Sequence, residues 1–305
     1  DLIINPKSTY KFVKGDIADI ATLNDSIFSF KPDVLIHFAA ESHVDRSIDS
    51  PKVFLNTNIF GTFNILQAVR EYVSNTKNTD FKLIHFSTDE VFGSIKNDTK
   101  FTEKSPYKPN SPYSASKASS DHLVRSWNRT FEVPTIILNC SNNYGPYQFP
   151  EKLIPLVITN SLDQKIIPVY GNGLNIRDWL FVNDNCDAID CVIADGKTGE
   201  TYNIGSNSEL SNIEIVKNIC GILDKMKPRP QNKLYEDLIT FVEDRPGHDF
   251  KYAVDSSKIT TKLGWKPKTN FKDGIQTTIK WYLDNEKWWR RIQKNIFKQK
   301  RLGLF

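Results

Sequence analysis

The sequence predicts an α/β fold: a doubly wound, Rossmann-type parallel sheet with a smaller mixed α/β lobe. Three observations carry this. Short β-branched apolar runs recur through the first half, amphipathic helices separate them, and the texture changes after residue 139. Apolar strands alternating with helices mean βαβ units, hence a parallel sheet covered on both faces. Right-handed crossovers then leave the doubly wound arrangement as the natural closure.

Residues 10–14 read as a strand. Residues 20–30 read as a short helix, with Ile20, Leu23 and Ile27 on one face and Phe30 closing it. Residues 33–38 form an apolar run behind Pro32. The span 51–73 is a long amphipathic helix with Pro51 in its first turn. Residues 82–87 are the next strand. A helix follows over 112–131, with Ser111 as N-cap and Pro112 at its first position. A strand at 135–139 closes this half.

Beyond residue 139, Pro, Gly and Asn become frequent. Shorter helices are expected at 152–161, 182–194, 213–226, 256–263 and 271–285. Short strands are expected at 166–169, 179–181, 201–204 and 239–242. The expected organisation is a cofactor-binding domain over 1–140, rejoined near 177–205, a substrate lobe over 141–176 and 206–285, and a tail over 286–305.

Composition narrows the class. The chain has 305 residues, 39% hydrophobic and 25% charged, with 14 Gly and 15 Pro. This is globular rather than low-complexity or collagenous. Mean hydropathy is −0.43, and no apolar run approaches the roughly 18 residues of a membrane span. The net charge of +4 comes from 40 basic and 36 acidic residues. Such balance argues against nucleic acid as a partner. The basic tail (Arg290, Arg291, Lys294, Lys298, Lys300, Arg301) reads as a solvated helix face. Cys140, Cys186, Cys191 and Cys220 show no paired spacing, which suits a reducing compartment. His and Cys do not cluster, so no metal site is expected.

Four groups of residues could carry chemistry. Tyr113 and Lys117, four apart on a helix, share a face. A cation beside a phenol favours the phenolate, making Tyr113 a base for a hydroxyl. The same spacing occurs at Tyr10 and Lys14, where a strand gives it no meaning. Next, Ser87-Thr88-Asp89-Glu90 ends a strand, where ligands bind in parallel α/β sheets. Two adjacent carboxyls there can divide into a neutral acid and an ionised base. Ser87-x-x-Glu90 also has capping-box spacing, before a run too short to be much of a helix. Third, residues 37–43 run from a strand into small side chains that let a flat cofactor approach. His37 reads as a core histidine, and His43 stays open between site and loop. Finally, Lys152, Arg177 and Arg245 lie in loop-rich segments. An Arg fork suits phosphate, or alternatively a surface ion pair.

Taken together, these segments resemble the dTDP-glucose 4,6-dehydratases of the nucleotide-sugar branch of the extended short-chain dehydrogenase/reductase family. The motifs are KGDI at 14–17, HFAAESHVDRSI at 37–48, STDEVFG at 87–93 and SPYSASKASSDHLVR at 111–125. They continue with NCSNNYGPYQFPEKLIP at 139–155, the segments 169–181 and 201–205, and DRPGHDFKY at 244–252. The acidic pair after Thr88 separates dehydratases from sister 4-epimerases and decarboxylases, which share the Tyr-x-x-x-Lys.

The resemblance implies an NAD+-dependent hydro-lyase. Tyr113 would take the sugar O4 proton as the C4 hydride leaves. Lys117 would hold the ribose and depress the Tyr113 pKa, and Thr88 would bind near O4. Glu90 would remove the C5 proton while Asp89 protonates the departing C6 hydroxyl, and the hydride would then return to C6, giving a 4-keto-6-deoxy sugar and regenerating NAD+. Asp16, Ile17, Ala39, Ala40, Thr57 and Asn143 match cofactor-contacting positions, with Tyr113 and Lys117. Ser42, Asn142, Lys152, Leu153, Arg177, Asn212, Arg245 and His248 match substrate-contacting ones, with Thr88. A cytoplasmic homodimer through helices 51–73 and 112–131 is also implied, acting on a nucleotide diphosphate sugar.

One departure stands out. The family opens with a strand and a Gly-rich turn that places the pyrophosphate on a helix N-terminus. None of the 14 glycines makes that pattern. Residues 1–10 match the stretch before the third strand. The chain, starting at Asp1, therefore reads as a fragment without the first βαβ unit, expected to bind NAD poorly and to fold with difficulty. The alternatives are a 4-epimerase or decarboxylase of the same fold, or a non-catalytic nucleotide-sugar-binding protein.

Overall fold

The computed structural model describes residues 10–95 and 99–295. Its central element is a parallel sheet, in the order β1–β2–β3–β7 among the described residues. The strands are β1 (Val34–His37), β2 (Lys82–Thr88), β3 (Thr135–Cys140) and β7 (Thr201–Ile204). Side chains alternate between its faces, as a strand's period of two requires. Leu83 and Ile137 point into one core, under α1 (Ile20–Phe30), α4 (Thr62–Thr76) and α5 (Pro112–Phe131). Ile84, Ile136 and Leu138 point into the other, under α7 (Val182–Asp195) and α9 (Ser257–Leu263). Helices on both faces explain why these strands read as continuous apolar runs. The expected α/β, doubly wound class is what the chain adopts.

The helix starts follow their caps. Asp19 accepts from the Ala21 and Thr22 amides. Ser111 and Ser114 exchange bonds ahead of Pro112, as the sequence suggests for Ser111. Ser211 and Glu214 form a capping box on α8 (Asn212–Met226).

The second half builds around its own core. Here α6 (Leu153–Leu162), α8 and α10 (Phe271–Asp284) close on Tyr144, Trp179, Ile219 and Tyr282. Two small sheets edge it. In one, β6 (Ile176–Phe181) pairs parallel with β4 (Asn142–Tyr144) and antiparallel with β8 (Glu209–Ser211). In the other, β5 (Ile167–Tyr170) pairs parallel with β9 (Ile239–Val242).

Several expectations need correction. Residues 10–14 form no strand: Phe12 is 73% exposed and the segment has no ladder partner among the described residues. β-propensity without a pairing edge leaves backbone groups to solvent instead. The helix read over 51–73 runs as α3 (Pro51–Phe54), a π-helical stretch Leu55–Gly61, then α4. A short α2 (Val44–Asp49) precedes it, and the short strands β4 and β8 were not read from the sequence. In the tail, α11 (Glu286–Asn295) docks through the fully buried Trp289, while Arg290 pairs with Asp163 at 2.9 Å. Lys298, Lys300 and Arg301 lie outside the described residues.

Candidate active site

The acidic pair sits where β2 runs out. The Thr88 hydroxyl accepts from the Glu90 amide at 3.3 Å and donates to Asp89 at 3.3 Å, starting a 3₁₀ turn over Asp89–Phe92. Val91 and Phe92 anchor the turn in the core. The cap is thus Thr88, and the Ser87 hydroxyl turns away to donate to Asp121. Gly93 closes the turn at φ +80, where a Cβ would lie 2.3 Å from the Lys108 carbonyl oxygen.

Burial drives the Asp89 carboxyl well above its ordinary range, with the charges of Glu90 and Asp178 adding to it. Its Oδ2 is buried without a hydrogen-bond partner. Glu90 is also raised by burial, but Arg245, Arg177 and Lys152 work against the rise. A carboxyl held neutral therefore stands beside one that cations keep nearer ionisation, as an acid–base pair needs.

Tyr113 and Lys117 lie on the buried face of α5. The Lys117 ammonium donates to the Phe86 carbonyl at 2.8 Å, and burial pulls its pKa down to about 8. Tyr113 behaves contrary to expectation. Its phenol is pushed far up, by burial first and then by the Glu90 charge, with Asp89 and Asp121 adding to it. Spacing placed the ammonium on the right face, but burial and the Glu90 charge hold the phenol protonated in the free protein. The neighbouring Thr88 hydroxyl acts the other way.

The loop after β1 faces the same end of the sheet. Ala39 is exposed and Ala40 half-buried, and the backbone beyond is clamped by Asn58. Asn58 accepts from the Glu41 amide at 2.9 Å and donates to the Glu41 carbonyl at 3.0 Å and to Ser116 at 2.8 Å. Ser116 in turn donates to the Tyr113 carbonyl. The π-helical stretch, which also carries Thr57, aims Asn58 into this junction. Asp16 caps its own turn through the Ala18 amide. The Ile17 side chain lies against Gly61, where a Cβ would meet it at 2.5 Å. His37 is a core histidine held neutral by burial, bonded to Thr62 at 3.0 Å.

On the other side lies a cavity of about 200 Å³. Glu90, Ser42 and Asn142 line it, with Lys152, Leu153 and Asn212 from α6 and α8 and their approaches. Arg177, Arg245 and His248 line the rest. The structure thus brings eight of the nine positions matched to substrate onto this cavity; Thr88 caps the turn beneath and neighbours the Tyr113 phenol. Lys152 donates to the Ser42 carbonyl. Arg177 lies over the Tyr252 ring at 4.3 Å and donates to the carbonyls of Ile176, Asp249 and Phe250. Arg245 pairs with Asp45 at 2.9 Å. Asn143, on β4 beside Asn142, donates to the Ser141 carbonyl, and both asparagines keep a buried side-chain oxygen without a partner.

Sequence reading missed Asp45, Tyr170, Glu151 and Trp179 as lining residues. Asp45 carries a usable signal, being the acid of the HVDR run within the 37–48 motif. His43, left open, lines the cavity and is pushed down to about 4 by burial. Among the described residues, no group of His, Cys, Asp and Glu could hold a metal ion, and no helix is long and apolar enough to cross a membrane.

Comparison with known proteins follows the same lines. A family model described as GDP-mannose 4,6 dehydratase matches residues 2–278. The dTDP-glucose 4,6-dehydratase of Neisseria meningitidis is 53% identical, over 98% of this chain and 85% of its own. That of Escherichia coli is 50% identical, over 99% and 87%. Among solved structures, DesIV, a dTDP-glucose 4,6-dehydratase of Streptomyces venezuelae with NAD and TYD bound, superposes with TM-score 0.85 at 42% identity, covering 95% of this chain and 84% of its own. The dTDP-glucose 4,6-dehydratase of Bacillus anthracis in complex with NAD gives 0.82 at 44% identity, covering 95% and 85%. A UDP-glucose 4-epimerase of Thermus thermophilus, at 23% identity and TM-score 0.79, shares the fold. With its acidic pair, its Tyr-x-x-x-Lys helix and this likeness along nearly its whole length, the chain belongs to the dTDP-glucose 4,6-dehydratase family.

Proposed function

We propose that the protein is an NAD+-dependent hydro-lyase converting dTDP-glucose to its 4-keto-6-deoxy product. The observation that carries this is Glu90 on the wall of a cavity lined by three cations, with Asp89 next to it in the turn after β2; the ionisation of Tyr113 responds to both carboxyls.

The site fits the cofactor. Lys117 spends one of its three N–H bonds on Phe86, leaving donors for a ribose hydroxyl. Small side chains at Ala39 and Ala40 and the unpartnered Asn143 oxygen face the same end of the sheet. NAD+, when bound, would accept the C4 hydride, return it to C6 as C5 regains a proton once water has left, and place a fixed positive charge beside the phenol.

Every other step falls to the protein. Tyr113, ionised, takes the proton from the sugar O4, with Thr88 hydrogen-bonding nearby. Oxidation at C4 acidifies the C5 proton, which Glu90 removes as the base. Asp89, held neutral, protonates the departing C6 hydroxyl. Lys152, Arg177 and Arg245 hold the diphosphate; the first two meet backbone carbonyls rather than carboxylates, so their charge is available to it.

The reading includes a cofactor domain and a substrate lobe, divided as the sequence suggests. It also includes a homodimer through the 51–73 and 112–131 helices, where Phe60 is 62% exposed and Val53, Leu55 and Phe63 lie beside it. Cytoplasmic location accompanies a nucleotide-sugar substrate. Incubation with dTDP-glucose tests the activity. A product absorbing as an enone in alkali is expected, whereas formation of dTDP-galactose would favour the epimerase reading.

A further inference from the structure

Lys117 is buried on α5, and Asp121 stands one helical turn beyond it. Acting on it are Asp121 from its own helix and the Cys140 thiol from β3. It acts in turn on the His85 ring from β2 and the His37 ring from β1. Burial holds both imidazoles neutral and Cys140 protonated. Asp121, by contrast, remains a carboxylate despite full burial, because donors surround it. His85 Nε2 lies 3.1 Å from its Oδ1. Ser87 donates at 2.8 Å and Tyr107 at 2.7 Å to Oδ2, with the Asn139 amide at 3.3 Å. Arg125 completes the network on the Tyr107 hydroxyl at 2.7 Å.

We propose that Asp121 is a positioning residue for the reaction: its buried carboxylate, one helical turn past Lys117 and fixed by donors from β2, β3 and Tyr107, keeps Lys117 an ammonium able to hold the cofactor. The inference rests on the reading that Lys117 binds NAD. A buried lysine loses its proton readily unless an opposite charge offsets the desolvation. The alternative is a network that only stabilises the fold.

The test compares NAD+ affinity across pH 6 to 10 in the unaltered protein and in Asp121→Asn. His85 can change tautomer to accept from the new amide, which favours folding. Affinity in the unaltered protein is expected to fall near pH 8 as Lys117 loses its proton. In Asp121→Asn the fall should move down by about one pH unit or more. Ser87→Ala, which removes a donor but not the charge, should lower thermal stability and leave the fall in place. An unmoved fall in a destabilised Asp121→Asn would overturn the proposal. If Asp121→Asn does not fold, the equal-sized pair Asp121→Glu and Asp121→Gln replaces it, and coincident profiles for the two would overturn it.

A protein that bound no NAD at any pH would contradict the proposed function instead. The Asp121 claim would then be read from stability. Lys117 sits near 8 in the fold against 10.5 ordinarily. Between those values the unfolded chain holds a proton the folded one has lost, so stability rises with pH across the window. In Asp121→Asn that rise should begin lower, and an unshifted onset would sink the idea.

Discussion

Arg245 and Asp45, two hundred residues apart in sequence, meet at 2.9 Å over the cavity, and the Tyr170 hydroxyl donates to the other Asp45 oxygen at 2.7 Å. Burial pushes the Asp45 carboxyl up, but Arg245 and Tyr170 hold it below the ordinary range. The pair fixes the direction in which Arg245 presents its remaining donors. Asp45→Asn should therefore raise KM for the nucleotide sugar by about 10- to 100-fold, or about 1.4–2.8 kcal/mol of binding. The kcat should change by less than about threefold. A loss confined to kcat would show that Arg245 does not hold the substrate.

Asp89 and Glu90 should fail differently. Glu90→Gln leaves the neutral acid and removes the base, so exchange of the C5 proton with solvent should fall about 10²- to 10⁴-fold. Oxidation at C4, read as transient cofactor absorbance, should survive. Asp89→Asn should retain C5 exchange and slow product formation. Unchanged exchange in Glu90→Gln would remove Glu90 from the role of base.

Tyr113 gives the pH prediction. Burial, Glu90 and Asp89 hold its phenol protonated in the free protein. Deprotonation creates a negative charge, so any positive charge brought beside the ring moves the transition to lower pH. Adding NAD+ should shift the phenolate absorbance edge acidwards, and Tyr113→Phe should abolish the shift. An edge that stays in place would mean that another group activates the substrate hydroxyl.

Gly93 tests the turn itself. At φ +80 and ψ −162 it occupies a region that side chains avoid, and the Lys108 carbonyl blocks a Cβ. Gly93→Ala should cost about 2–4 kcal/mol, read as a lowered denaturation midpoint, and should reduce kcat by displacing Asp89 and Glu90. A stability change under about 0.5 kcal/mol would show that the turn relaxes freely.

Much of this arrangement is legible in the sequence. The helices 20–30 and 112–131 begin and end where the apolar period and, for the second, the Ser111 cap place them. The cations of the cavity were found because Arg177 and Arg245 stand among Pro, Gly and Asn, although Arg177 itself lies on β6 rather than in a loop. What escaped depends on partners distant in the chain. The 10–14 run has strand composition but no neighbour to pair with among the described residues. The π-helical stretch has no local signature, because its reason is the Asn58 clamp on Glu41 and Ser116. The rise of the Tyr113 phenol was missed because spacing reveals Lys117 and neither the burial of the ring nor the carboxyls that fold in around it.

The Asn58 clamp has one further consequence. Through Glu41 on one side and Ser116 on the other, it makes the β1 loop and the Tyr113 helix a single rigid body. A ligand entering this end of the sheet finds both walls already set. Little ordering entropy then remains to oppose its binding, and selectivity rests on shape rather than on closure.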